Sequence, residues 1–148
     1  MKINKNSQLM NRMRQLQIEV LESGHAFLDP SWNFENIFSP FSRLYYIKDG
    51  DGLVEFCGHK MPFRPGYAYL LPAGLAYSCK CAGTMEKWYF HIHIRMPNGF
   101  DLFQGCEECY EMKICQEDME SLIGEVISRN TSETPSVEES NVLPEEPE

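Results

Sequence analysis

His91 and His93 stand two residues apart in Trp88-Tyr89-Phe90-His91-Ile92-His93-Ile94, the most strand-like run of the chain. Alternate side chains of a strand share a face, so both imidazoles point the same way and invite a metal ion. Two imidazoles make an incomplete shell, however, and Tyr89 on the same face is a poor third ligand for zinc. Cys106-Glu107-Glu108-Cys109 is the second candidate. Joined by Cys79 and Cys81, or by Cys115, it could complete a four-thiolate zinc site. The Cys79-x-Cys81 spacing is wrong for a zinc ribbon or knuckle, and two Glu between the cysteines raise thiol pKa. The thiols are therefore expected to be buried or incidental, with no metal and no cofactor. Nor does the sequence hold a Gly-x-Ser-x-Gly elbow, a Gly-x-x-x-x-Gly-Lys phosphate loop or a Gly-x-Gly-x-x-Gly turn.

Those residues sit on a chain that reads mostly as strand. Leu16 to Glu22 alternates apolar and polar residues before Ser23-Gly24-His25, as a half-buried strand does. Arg43 to Lys48 is an aromatic-rich strand, and the Asp49-Gly50-Asp51-Gly52 that follows predicts a tight hairpin turn. Leu53 to Cys57, Tyr67 to Leu71, Tyr77 to Cys81 and Trp88 to Ile94 complete the set. Short strands separated by Gly and Pro at roughly 8–12-residue spacing predict an all-β sandwich or barrel. One helix is expected, over Gln116–Arg129. Met119, Leu122, Ile123, Val126 and Ile127 form its single apolar stripe. That stripe either packs on the chain's own barrel or pairs with a second subunit.

Length and charge narrow the function. The 148 residues suit one domain with tails, and 43% hydrophobic with 24% charged residues is ordinary globular usage. No apolar run approaches the ~18 residues of a membrane span, and no secretory signal is visible, so a cytoplasmic, thiol-keeping protein is expected. A net charge of −9 argues against direct nucleic-acid contact. The ends differ in sign: residues 1–14 carry Lys2, Lys5, Arg12 and Arg14 without an acid, and residues 131–148 carry six Glu without a base. The Ser-, Thr-, Pro- and Glu-rich segment 131–148 reads as a disordered tail.

The most specific local pattern runs from Gly66 to Tyr77. Gly66, Pro72, Gly74 and Tyr77 reproduce the spacing of the second motif of the cupin superfamily, G-x5-P-x-G-x2-H, with Tyr77 where the motif has a metal-binding His. Aligned through Gly50, the first motif's Glu falls on Arg43, and its His positions fall among Asn36, Ile37, Phe38 and Ser39. A guanidinium and a phenol in those places remove the imidazole–carboxylate shell that metallocupins use. The resemblance therefore implies a metal-free cupin and not an enzyme.

A narrower likeness covers roughly residues 16–128. Trp32 to Asn36, Ser39 to Ile47, Gly50-Asp51-Gly52, Pro65 to Gly74 and Trp88 to Ile92, taken in order, resemble the N-terminal sensor domain of AraC-type transcriptional regulators. The resemblance implies a cupin-like double-stranded β-helix, or jelly-roll, barrel that binds a small effector, often a sugar, and a following helix that makes a homodimer. It divides the chain into a basic segment (1–15), the barrel (16–115) with an arm (24–42), the helix (116–130) and the acidic tail (131–148). The family's pair of DNA-binding helix-turn-helix motifs has no room after Arg129, so a truncated or stand-alone sensor is expected. The superfamily's Glu faces the barrel interior, which puts Arg43 and Tyr45 inside. Arg supplies five donors for sugar hydroxyls or a carboxylate, unless it forms a structural pair with an acid such as Glu35. Tyr69, Tyr77, Trp88 and Tyr89 are candidates for the aromatic face, with His91, His93 and the arm's Trp32 nearby. Two alternatives stand beside this expectation: a cupin-fold isomerase or dioxygenase with atypical ligands, and a barrel that only dimerises.

Overall fold

A computed structural model describes residues 5–129; the acidic tail expected at 131–148 lies outside them. In order the chain forms α1 (Lys5–Arg14), β1 (Gln17–Leu28), β2 (Asn33–Ile37), β3 (Ser42–Phe56) and β4 (His59–Phe63). It continues with β5 (Tyr67–Leu71), β6 (Tyr77–Arg95), β7 (Tyr110–Lys113) and α2 (Gln116–Arg129). All pairings are antiparallel. The sheet runs β1-β6-β3-β5-β7, with β2 added to β6 and β4 to β3. The architecture is all-β and antiparallel, as expected, and carries the expected C-terminal amphipathic helix.

Strand periodicity sorts the side chains into two cores. On β3, Tyr45, Ile47, Val54 and Phe56 turn inward with Tyr69, Leu71, Tyr77, Cys79 and Tyr89 from β5 and β6. The intervening Leu44 and Tyr46 turn outward with Ala68, Phe90 and Ile92. This outer face meets α2, where Met119 and Ile123 are buried and Val126 is partly so. Burying each of these two side chains contributes about 1.5–3 kcal/mol. Leu122, on the same predicted stripe, remains 42% exposed. The helix thus packs on its own barrel with part of its stripe and leaves Leu122 to solvent.

The turn expected at Asp49–Gly52 does not form. β3 runs unbroken through it, opposite an equally unbroken β6, with register shifts between Ile47 and Asp49 and between Gly50 and Gly52. Bulges of this kind bend a ribbon without reversing it. Gly50, at φ +121°, makes the bend possible: a Cβ there would lie 2.4 Å from both Met85 Cα and Thr84 O. The same Gly-rich signal that marks a hairpin in isolation marks a corner once a long partner strand lies across it. Four further elements, α1, β2, β4 and β7, are not among those expected from the sequence pattern.

Candidate functional site

The inner faces of β3, β5 and β6 bring several of the predicted residues together. Arg43 pairs with His91 across β3 and β6 and with Leu71 across β3 and β5. The next inward position on β3, Tyr45, pairs with Tyr89 and Tyr69 in the same way. Arg43, Tyr45, Tyr69, Tyr77, Tyr89 and His91 are all buried. So is Trp32, which the connection between β1 and β2 folds against the barrel; its carbonyl accepts the Cys81 N–H at 3.1 Å.

Contacts at one end of this interior centre on Phe41. Its ring stacks on His91 with centroids 4.6 Å apart, and the Arg43 guanidinium carbon lies 5.2 Å from its centroid. His91 Nδ1 is 3.4 Å from Glu22 Oε1, and its ring is 5.3 Å from Tyr89. Gly24, opposite Tyr89 on β1, leaves room for the phenol: a Cβ there would sit 2.5 Å from the Tyr89 hydroxyl. Glu35, the acid considered as a partner of Arg43, is exposed on β2.

Lys87 was not a sequence candidate, yet its side chain is fully buried. Its ammonium lies 3.3 Å from the Tyr45 ring centroid and 4.2 Å from that of Trp32. Ring faces carry the negative part of the aromatic quadrupole and attract such a cation. The signal was present in strand parity, since Lys87 shares its face with Tyr89 and His91. Phe63 joins the same group, with its centroid 5.0 Å from Tyr69 and 6.0 Å from Tyr45.

Tyr69 reaches the opposite end. Its hydroxyl donates to Glu111 Oε2 at 2.6 Å and accepts the Arg64 N–H at 2.8 Å. Glu111 also holds Arg64 through two guanidinium bonds of 2.9 and 3.0 Å. Burial, then donation to Glu111, pushes the Tyr69 phenol up to about 12. Arg64, then Tyr69, holds the Glu111 carboxyl below its ordinary range. A cleft of about 490 Å³ opens beside this network, lined by Phe56, Met61 and Cys109 among others.

Two predicted ligand residues stand apart. Trp88 lies on the outer face, half-buried with the α2 core and 4.7 Å from the His25 ring, because it is one residue out of phase with Tyr89. His93 shares His91's strand face but is only half-buried, opposite Glu19. Among the described residues, no group of three or more His, Cys, Asp or Glu is arranged to hold a metal ion.

No family model and no curated protein matches the chain. Solved structures do. The chain is similar over 82% of its length to 51% of ToxT from Vibrio cholerae O395, solved with a naphthyl-substituted butenoic acid bound, at 9% identity and a TM-score of 0.49. Over 76% of its length it is similar to 46% of ToxT from Vibrio cholerae strain SCE256 with an unsaturated fatty acid bound, at 12% identity and a TM-score of 0.42. Over 63% it is similar to 94% of a cupin-2 domain protein from Shewanella frigidimarina NCIMB 400, at 13% identity and a TM-score of 0.39. The chain spans about half the length of the ToxT structures. Among the described residues, no helix is long and apolar enough to cross a membrane.

Proposed function

We propose that the barrel is the effector-sensing and dimerisation unit of an AraC-like transcriptional regulator, acting in the cytoplasm and binding a sugar or related polyol. The observation that carries this reading is the composition of the interior. Donor-rich Arg43 and Lys87 sit among the faces of Tyr45, Tyr89, Phe41 and Trp32. Oxygen-rich small molecules are held by such combinations, with donors to hydroxyl groups and ring faces to C–H surfaces. A sensor is favoured over a catalyst because a guanidinium and a phenol, Arg43 and Tyr77, stand where a metallocupin has metal ligands. Trp32 covers the interior from the arm, so entry of an effector requires its displacement. DNA contact falls to a separate unit, since this chain's charge of −9 repels phosphate.

A thermal-shift screen of sugars and polyols tests the reading. At a ligand concentration 100 times Kd, binding adds about 2.7 kcal/mol of stability. Arg43→Ala is expected to abolish the shift. A broad screen that leaves the wild-type melting temperature unmoved overturns the effector assignment in favour of a barrel that only dimerises.

A further inference from the structure

Four of the six cysteines gather at one end of the barrel, although the chain distributes them from residue 57 to residue 109. Cys57 occupies the two-residue turn between β3 and β4, where Phe56 pairs with His59. Its Sγ donates to the Glu107 carbonyl at 3.5 Å, so the turn rests against the segment that carries Cys106 and Cys109. Cys106 Sγ lies 3.2 Å from the Tyr110 hydroxyl. Cys79 and Cys109 are buried in the barrel core beside them. Burial, then the nearby Cys79, Cys106 and Cys57, pushes the Cys109 thiol up. Cys57 also has φ +50°, in a turn position that Asn, Asp and Gly normally fill.

Accessibility divides the four. Cys57 is exposed and Cys106 is partly so, whereas Cys79 and Cys109 are closed to a solution reagent. The segment that carries Cys106, residues 96–109, forms no named strand between β6 and β7, and the Cys57 Sγ contact with the Glu107 carbonyl places the turn against the residue next to Cys106; bond formation brings the two Sγ atoms to disulfide distance. We propose that Cys57 and Cys106 form a reversible disulfide when the chain meets a hydroperoxide, stapling this loop to the β3–β4 turn.

The chemistry balances in two steps. The Cys57 thiolate attacks one oxygen of hydrogen peroxide; the O–O bond breaks, hydroxide leaves and takes up a proton as water, and a sulfenic acid remains. The Cys106 thiolate then attacks that sulfur, forming the S–S bond and expelling hydroxide, which becomes a second water. Two thiols lose two electrons, and the peroxide gains them. The bond is reversed by a dithiol through exchange. The stapled loop leads directly into β7, whose Glu111 grips Arg64 and the Tyr69 hydroxyl, so the redox state acts on one wall of the barrel. This proposal stands independently of the effector assignment.

The test uses the full, reduced chain treated with a small excess of hydrogen peroxide and then blocked with iodoacetamide. Digestion combines trypsin with a Glu-specific protease, because Glu107 and Glu108 separate Cys106 from Cys109. The expected product is a peptide pair joined through Cys57 and Cys106, with two fewer free thiols than the reduced chain and full reversal by dithiothreitol. Cys57→Ser and Cys106→Ser each abolish the link, while Cys115→Ser, at an exposed thiol elsewhere, retains it. The proposal is overturned by the absence of a link, by a link that omits Cys57 or Cys106, or by sulfinic acid at either thiol instead of a link. Stoichiometric zinc on the reduced protein that shields these thiols from iodoacetamide overturns it equally.

Discussion

The ammonium of Lys87 lies over the ring of Tyr45, 3.3 Å from its centroid, and the Trp32 ring flanks it at 4.2 Å. This contact fastens the arm before β2 to the centre of the barrel, because Trp32 belongs to the arm while Tyr45 and Lys87 belong to β3 and β6. A single strand position thereby couples the cover to the interior it covers.

Truncating Lys87 should loosen that coupling. Lys87→Ala is expected to cost about 2–4 kcal/mol, the sum of a cavity and a lost cation–ring attraction. Lys87→Met keeps the stem's packing and should restore most of the loss, since a buried charge is often replaced by an apolar side chain of similar volume at small cost. Urea unfolding of both variants checks the order, and the two costs coming out equal would locate the effect in the lost cation–ring contact rather than in packing.

Gly50 should be intolerant of any side chain. Its φ of +121° and the 2.4 Å approach to Met85 Cα and Thr84 O give Gly50→Ala an expected cost of several kcal/mol, about 3 or more, from backbone strain plus a clash with main chain. Gly83 is the control, for a Cβ there meets nothing within 4 Å. Gly83→Ala is expected to move stability by less than about 0.5 kcal/mol. Thermal unfolding of the two variants side by side gives the comparison.

The Arg64–Glu111–Tyr69 network should make stability fall at both pH extremes. Glu111 has a depressed carboxyl pKa, so its contribution is present above the ordinary carboxylate value and is lost as pH falls through the lowered one. The Tyr69 phenol is raised to about 12 from an ordinary 10.0. Its contribution is therefore full below pH 10 and disappears as pH rises toward 12. Melting temperatures against pH should show Glu111→Gln flattening the acid limb and Tyr69→Phe flattening the alkaline one. Tyr69→Phe also removes a buried hydroxyl from three partners, the Arg64 N–H, the Pro62 carbonyl and Glu111, which costs about 1–3 kcal/mol at neutral pH.

Residues on α2 should separate folding from self-association. Met119 is 1% exposed against the barrel and Leu122 is 42% exposed. Met119→Ala is expected to destabilise the chain by about 2–5 kcal/mol. Leu122→Glu is expected to leave the melting temperature within a few degrees and to convert the proposed homodimer to monomer in sedimentation velocity. A wild-type chain that is monomeric at tens of micromolar removes the dimer from the proposal.

Much of the fold was legible locally. Alternation placed Tyr45 and Ile47 on one face of β3 and Leu44 and Tyr46 on the other, because side chains of an extended backbone repeat every two residues. The 3.6-residue spacing of Met119, Ile123 and Val126 gave α2 its limits, and the Gly66-to-Tyr77 pattern placed the break between β5 and β6. Parity applied strictly would also have admitted Lys87 and excluded Trp88, which is out of phase with Tyr89. Position in a strand is a property of neighbours in the chain, and these features needed nothing more.

Other features depended on what lies across the sheet. Whether Asp49-Gly50-Asp51-Gly52 reverses the chain or bends it is decided by β6, whose long run opposite β3 supplies the hydrogen bonds that keep the strand going. The short β7 becomes a strand because β5 offers it an edge, and Glu111 finds Arg64 and Tyr69 only through that pairing. Cys57 meets the Cys106–Cys109 loop because the ends of a hairpin and a distant connection close the same end of the barrel. Local spacing thus determined which residues face inward, while closure of the sheet decided which of them meet: pairing energy is gained between strands far apart in sequence, and no local pattern encodes the partner.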